Sequence, residues 1–563
     1  MRKKQVFLCK KFIYINVRNS YKEKGGIKIR NKNKKNGFME GVIVLMFSQI
    51  IIKIVGLIYK LYITNKDGFG DRGNAIYGGA FQIYALFLTI SSIGVPNAIS
   101  KLVSEKLAVG DNKGAYRIFK IAFAMFGILG FIGSSILFFG AKYIANNYLQ
   151  IPEAELSILA LSPSVFLVSI ASVLKGYFNG RENISVTANS QSLEQIFKTL
   201  LTILIVEQIA SISCMNTTLM AGAATLATTF ATMFSLLYLY KYFIKRKKEV
   251  WQEVISSTKH KKESVIKIIK GILIVSIPMA LCAMFSAAIK TIDSVTVVRF
   301  LKSIVSEEEA IMQYGILSGK VDTLIMLPFS FNIAFATALV PSVSGAIAKK
   351  QFNIVKKRIE FSILVTILIG LPCTVCMCTF SKEILSLLFP NASEGAEMLM
   401  YSSWTIIFVV LTQTINGALQ GLGKVNVPVI AFAVSAIIKL IFNTVLIPVL
   451  GINGAIYSSI ISHNVCFIIC FINLRKNLSL SIKIDKFLIK PIIVTVIMNL
   501  STLFIYKKMS LILNGRVSLI ISLLIGIIIY FISIFILKIL SKEEIFMLPY
   551  GQKAYKRLKT CER

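Results

Sequence analysis

The sequence predicts an all-α polytopic membrane protein with about fourteen transmembrane helices, and three observations carry that expectation. Of the 563 residues, 55% are hydrophobic and only 16% charged, with a mean hydropathy of +0.71, more apolar material than a water-soluble core of this size needs. Apolar runs of about 20 residues recur along the chain, each long enough to cross a hydrocarbon layer of roughly 30 Å as a helix. Lys and Arg concentrate in alternate connections between those runs.

In chain order the expected spans are 41–63, 79–99, 118–139, 157–177, 184–206, 217–240, 270–298, 316–340, 359–380, 396–417, 425–448, 452–474, 487–506 and 515–537. Residues 1–38 form a basic cytoplasmic extension, or Met39 is the natural start. They do not have the form of a signal peptide, because Lys10 and Lys11 interrupt the apolar stretch and no small-residue cleavage site follows. The remaining organisation is an N-terminal lobe over 39–240 (the first six spans), a basic cytoplasmic connector over 241–269 and a second lobe over 270–474 (the next six). Two extra helices over 475–540 and a basic cytoplasmic tail over 541–563 complete it.

In a soluble protein the formal charge of +36 would point to nucleic acid. Here its distribution marks orientation: with residue 1 cytoplasmic, most of the 63 Lys and Arg fall in inside loops, so both termini are cytoplasmic. The expected partners of the basic segments are anionic lipids of the cytoplasmic leaflet, not nucleic acid. The nine cysteines are scattered; Cys373, Cys376 and Cys378 lie in an apolar span without His or acidic neighbours and read as packing residues. Cys214 is alone in an outside loop, so no structural disulfide is expected. His260 and His463 are far apart, and no cofactor is expected.

The chain carries an internal repeat. Gly176, Gly180 and Lys198 recur as Gly417, Gly421 and Lys439, each about 241 positions later. The connector GYFNGRENISV is echoed by GALQGLGKVNV. Lys53 corresponds to Lys290, and the Val95, Pro96 pair to Val340, Pro341, at similar offsets. An offset containing six helices gives both copies the same orientation, related by an axis along the membrane normal.

A charged side chain at mid-bilayer costs about 2.5 to 3.5 kcal/mol, so ionisable residues there mark cavities or partners. The candidates are Lys53, Lys60, Glu194, Lys198, Lys290, Asp293, Lys320, Asp322 and Lys439. Lys53 and Lys60 share one face of their helix about 10 Å apart. Glu194 with Lys198, and Lys290 with Asp293, have the i,i+4 and i,i+3 spacing at which opposite charges neutralise each other. Six lysines against three acids leave roughly +3, a balance that attracts an anion. Lys53, Lys60, Lys198, Lys290, Lys320 and Lys439 are the expected substrate-binding residues, supported by Glu194, Asp293 and Asp322. Asp293 with Asn443 and Thr444 offers the carboxylate and neutral oxygens of a sodium site.

Four strings resemble the stage V sporulation protein B and polysaccharide-export family, within the multidrug, oligosaccharidyl-lipid and polysaccharide flippase superfamily. They are GVPNAISKLVSE (94–105), LKGYFNGRENISV followed by SLEQIFK (174–198), ATALVPSVS (336–344) and KLIFNTVLIPVLGINGA (439–455). The resemblance spans about 39 to 540 and implies two six-helix lobes, alternating access and a cationic central cavity for a pyrophosphate. It also implies a polyprenyl groove on the last two helices. Lys53 matches a basic residue of the first helix in lipid II flippases of the family, and Lys60 falls at or beside a second. Both are Lys here, a point charge in place of a bidentate fork.

The expected function is translocation of an undecaprenyl-pyrophosphate-linked sugar, a peptidoglycan or polysaccharide precursor, across a bacterial cytoplasmic membrane. A cation-coupled multidrug exporter of the same superfamily is the main rival and would want the opposite charge balance. A membrane glycosyltransferase would need acidic or nucleophilic motifs that the loops do not show.

Overall fold

The computed structural model describes residues 51–541, except 53, 93, 182, 213–214, 258–262, 349, 392 and 479–482, together with residue 544. Every regular element among the described residues is helical. In order these are α1 (Ile54–Thr64), α2 (Gly70–Ser92), α3 (Gly94–Ala108), α4 (Asn112–Tyr143), α5 (Ala154–Gly180), α6 (Ile184–Ile212) and α7 (Thr217–Ile255). There follow α8 (Val265–Leu301), α9 (Glu307–Ile316), α10 (Asp322–Ala348), α11 (Phe352–Thr379), α12 (Ser381–Leu388), α13 (Ala396–Ser402) and α14 (Thr405–Gly421). The last four are α15 (Asn426–Leu450), α16 (Ile452–Asn477), α17 (Lys490–Met509) and α18 (Gly515–Ile536). A π turn at Leu317–Val321 joins α9 to α10.

Among the described residues, 12 helical runs are long and apolar enough to cross a membrane. The helices run past the spans expected from hydropathy. Gly70–Leu107 covers the expected 79–99, and Thr217–Ile255 carries the helix into the first half of the basic connector. Hydropathy reports where lipid contact ends, whereas the backbone hydrogen bonds continue through polar residues. Side-chain caps fix several starts: the Asp111 carboxylate accepts from the Gly114 amide at 2.8 Å, and the Ser264 hydroxyl from the Lys267 amide at 3.2 Å. Large apolar residues such as Phe131, Phe139, Leu204, Ile437 and Ile528 are exposed on the outer helix faces, the pattern of a surface that meets hydrocarbon rather than water.

The repeated glycines mark close helix contacts. A Cβ on Gly176 would come within 2.9 Å of the Pro96 backbone, and one on Gly180 within 2.8 Å of Val103 Cβ, so α5 is pressed onto α3. The second copy does the same: a Cβ on Gly417 would come within 2.5 Å of the Ala336 carbonyl oxygen and one on Gly421 within 2.8 Å of Val343 Cβ, so α14 is pressed onto α10. Here only glycine allows the backbones this close. These contacts pair Pro96 with Ala336 and Val103 with Val343, a shift of about 240 positions. The expected match of Val95, Pro96 with Val340, Pro341 is thus out of register with the packing, in which Ala336 takes the place of Pro96.

Candidate functional site

A cavity of about 340 Å³ lies between α1, α2, α6, α8 and the segment where the π turn passes into α10. Its wall brings together Lys60, Lys198, Lys290 and Asp322, four residues that the sequence scatters over more than 260 positions. Lys60 is buried, donates to Asn74 Oδ1 at 2.7 Å, and stands 5.2 Å from the Tyr77 ring centroid. Lys198 donates to the Tyr77 hydroxyl at 3.1 Å and lies 4.8 Å and 5.3 Å from the ring centroids of Phe81 and Tyr59. The negative faces of these rings hold an ammonium in place without cancelling its charge. Tyr77 and Phe81, one helical turn apart on α2, are themselves stacked at 5.7 Å.

Lys290 is the neutralised member, with its Nζ 2.8 Å from Asp322 Oδ2. Among the described residues neither Lys60 nor Lys198 has a carboxylate within 4.0 Å. Three lysines and one aspartate therefore leave two net positive charges on the cavity wall.

The other expected site residues lie elsewhere. Lys53 is outside the described residues. Lys320 is fully buried and its Nζ meets Asp71 Oδ2 at 2.8 Å. Lys439, also fully buried, meets Asp293 Oδ1 at 2.8 Å. The pairs expected from helical spacing do not form: Glu194 reaches Lys175 on α5 at 3.7 Å instead of Lys198, and Lys290 takes Asp322 instead of Asp293. Sequence spacing sets only which side chains share a face, whereas the side chains that neighbouring helices bring near decide the pairing. Asn443 donates from Nδ2 to Asp293 Oδ1 at 2.9 Å and to Thr296 Oγ1 at 2.7 Å. Thr444 turns away, exposed, with its hydroxyl on the Ile441 carbonyl at 2.7 Å, so Asp293, Asn443 and Thr444 do not converge on a sodium site. Asp71, Asn74 and the aromatic residues Tyr59, Tyr77 and Phe81 were not among the expected residues. The i,i+4 aromatic spacing on α2 was visible, but nothing marked its proximity to lysines of other helices.

A family model described as "Polysaccharide biosynthesis protein" matches residues 38–347, more than half of the chain. The chain belongs to the polysaccharide biosynthesis protein family. Within this family it falls in the branch of stage V sporulation protein B and the lipid II flippases. It is a multi-pass protein of the bacterial cytoplasmic membrane, and a transporter rather than an enzyme. A second model, MatE, matches residues 318–445. Stage V sporulation protein B of Bacillus subtilis (strain 168) is 25% identical over 527 residues, covering 92% of this chain and 98% of its own. Lipid II flippase MurJ of the same organism is 25% identical over 463 residues, covering 79% and 84%. A solved structure of lipid II flippase MurJ in an inward closed conformation superposes with a TM-score of 0.65 at 15% identity. It covers 87% of this chain and 98% of that one, and shares the fold of this family member.

Proposed function

We propose that this family member is a flippase that moves an undecaprenyl-pyrophosphate-linked sugar, a lipid II or polysaccharide repeat unit, across the cytoplasmic membrane by alternating access. The observation that carries this reading is the charge of the cavity wall, three lysines against one aspartate. A pyrophosphate diester carries about two negative charges near neutral pH, which complements the two uncancelled ammonium groups. In this reading Lys60 and Lys198 bind the phosphates, and Lys290 joins them when Asp322 releases it. Lys53, seven positions before Lys60 in the sequence, is assigned to the same phosphates. Lys320 and Lys439 serve structure through Asp71 and Asp293 rather than substrate.

The recurrence of the Gly176 and Gly180 contacts at Gly417 and Gly421 supports two lobes of the same orientation over 39–240 and 270–474, with α17 and α18 as additions. Both termini would be cytoplasmic, with the basic tail and connector on anionic lipid headgroups. The cavity is lined from both lobes, as a rocking mechanism requires. A cation-coupled drug exporter, the rival within the superfamily, is disfavoured by the same lysine excess, since a cationic drug would be repelled.

The test is depletion of the protein followed by mass analysis of lipid-linked intermediates. Accumulation of one polyprenyl-pyrophosphate glycan is expected. Unchanged lipid-linked pools, with altered sensitivity to cationic drugs, would overturn the proposal.

A further inference from the structure

Lys439 has a setting unlike that of the lysine at the same place in the other copy of the repeat. Lys198 faces the cavity among aromatic rings, whereas Lys439 is completely buried within α15, α8 and α16. An ammonium has three N–H donors. Those of Lys439 have three oxygen partners: Asp293 Oδ1 at 2.8 Å, the Ala455 carbonyl at 2.8 Å and Ser459 Oγ at 2.5 Å. A carboxylate, a backbone carbonyl and a hydroxyl are also the ligands that a small hard cation takes. Asn443 completes the surround, with Nδ2 bound to Asp293 Oδ1 and its Oδ1 buried without a hydrogen-bond partner.

We infer that Lys439 is a built-in cation: its ammonium fills an oxygen nest that, without it, would take a free monovalent cation such as sodium. The lysine stem delivers the charge to the nest, so the binding entropy and concentration dependence of a free ion are absent. This goes beyond the cavity chemistry. Its consequence, that transport needs no cation at this nest, rests on the flippase reading, but the binding test does not.

The experiment is thermal unfolding of the purified full chain in sodium, potassium and choline chloride at equal ionic strength. A ligand that binds only the folded state raises the melting temperature. The wild-type protein should melt at the same temperature in all three salts. Lys439→Ala should melt lower in choline and regain part of the loss in sodium, or with added ethylammonium. Adding Asp293→Asn to that variant should abolish the cation response. Lys439→Ser, which leaves a further oxygen in the vacated space, is measured in parallel. A sodium-dependent rise in the wild type would overturn the inference, as would folded Lys439→Ala and Lys439→Ser proteins indifferent to every cation. It would also be overturned if both single variants failed to fold in any salt while Asp293→Asn, Lys439→Ala folded normally, because a free cation could then not replace the lysine. A failed flippase assay with a positive cation response would leave the nest standing and remove only the transport reading.

Discussion

Lys290 Nζ and Asp322 Oδ2 meet at 2.8 Å in the cavity wall, joining α8 to the first residue of α10. This pair sets the net charge that a substrate meets. Asp322→Asn should release the lysine and raise the affinity for a polyprenyl-pyrophosphate lipid several-fold, measured by binding to the detergent-solubilised protein. Both side chains are partly exposed, at 27% and 31%, so the stability change should stay below about 1 kcal/mol. Weaker lipid binding by Asp322→Asn would show that the carboxylate, not the lysine excess, recognises the cargo.

Lys198 is held by rings rather than by an acid. Lys198→Met keeps an unbranched side chain of similar length between Tyr59 and Phe81 and removes the charge. It should reach the membrane at normal abundance and fail to complement a flippase-deficient strain, while Lys198→Arg retains part of the activity. Full complementation by Lys198→Met would assign this lysine to packing.

The fully buried Lys320 and the nearly buried Asp71 bind the start of α2 to the π turn. Removing the carboxylate from a buried ammonium typically costs about 3 to 5 kcal/mol. Asp71→Ala should therefore lower the melting temperature sharply, and the double variant Asp71→Leu, Lys320→Met should recover most of the loss. Equal damage from the single and double variants would place the cost in packing instead.

Gly315 approaches Asp71 so closely that a Cβ would lie 1.8 Å from the carbonyl oxygen, whereas a Cβ on Gly127 would meet nothing within 4 Å. Gly315→Ala should destabilise the fold by at least about 1 to 3 kcal/mol through forced backbone movement. Gly127→Ala should be neutral or stabilise by up to about 1 kcal/mol, since alanine is the better helix former. Thermal unfolding of the two variants side by side checks both signs.

Orientation is tested with single cysteines in a background lacking the native ones. Cysteines at Asn112, Lys247 and Lys476 should resist an impermeant thiol reagent in intact cells, and cysteines at Gly70 and Asn391 should label. The reverse pattern would invert the topology.

The helices of this protein were legible in the sequence because lipid imposes one rule on every span: apolar side chains outside and all backbone hydrogen bonds made within the helix. The repeat was legible as well, since Gly176, Gly180, Gly417 and Gly421 are needed for helix contacts that any larger residue would obstruct. Six lysines could likewise be read as costly and therefore purposeful. What they do was a tertiary decision. Spacing along one helix fixes a side chain's face but not its neighbour on another helix, and the partners lie far off in the chain, as with Asp71 and Lys320, 249 residues apart. Hence Lys198 and Lys439, equivalent in the repeat, diverged: one faces the cavity among aromatic rings with its charge uncancelled, the other is enclosed by oxygens and neutralised by Asp293. In a low-dielectric interior a lysine's charge is available or cancelled according to whether packing brings a carboxylate within a few ångströms, and only the folded chain determines that distance.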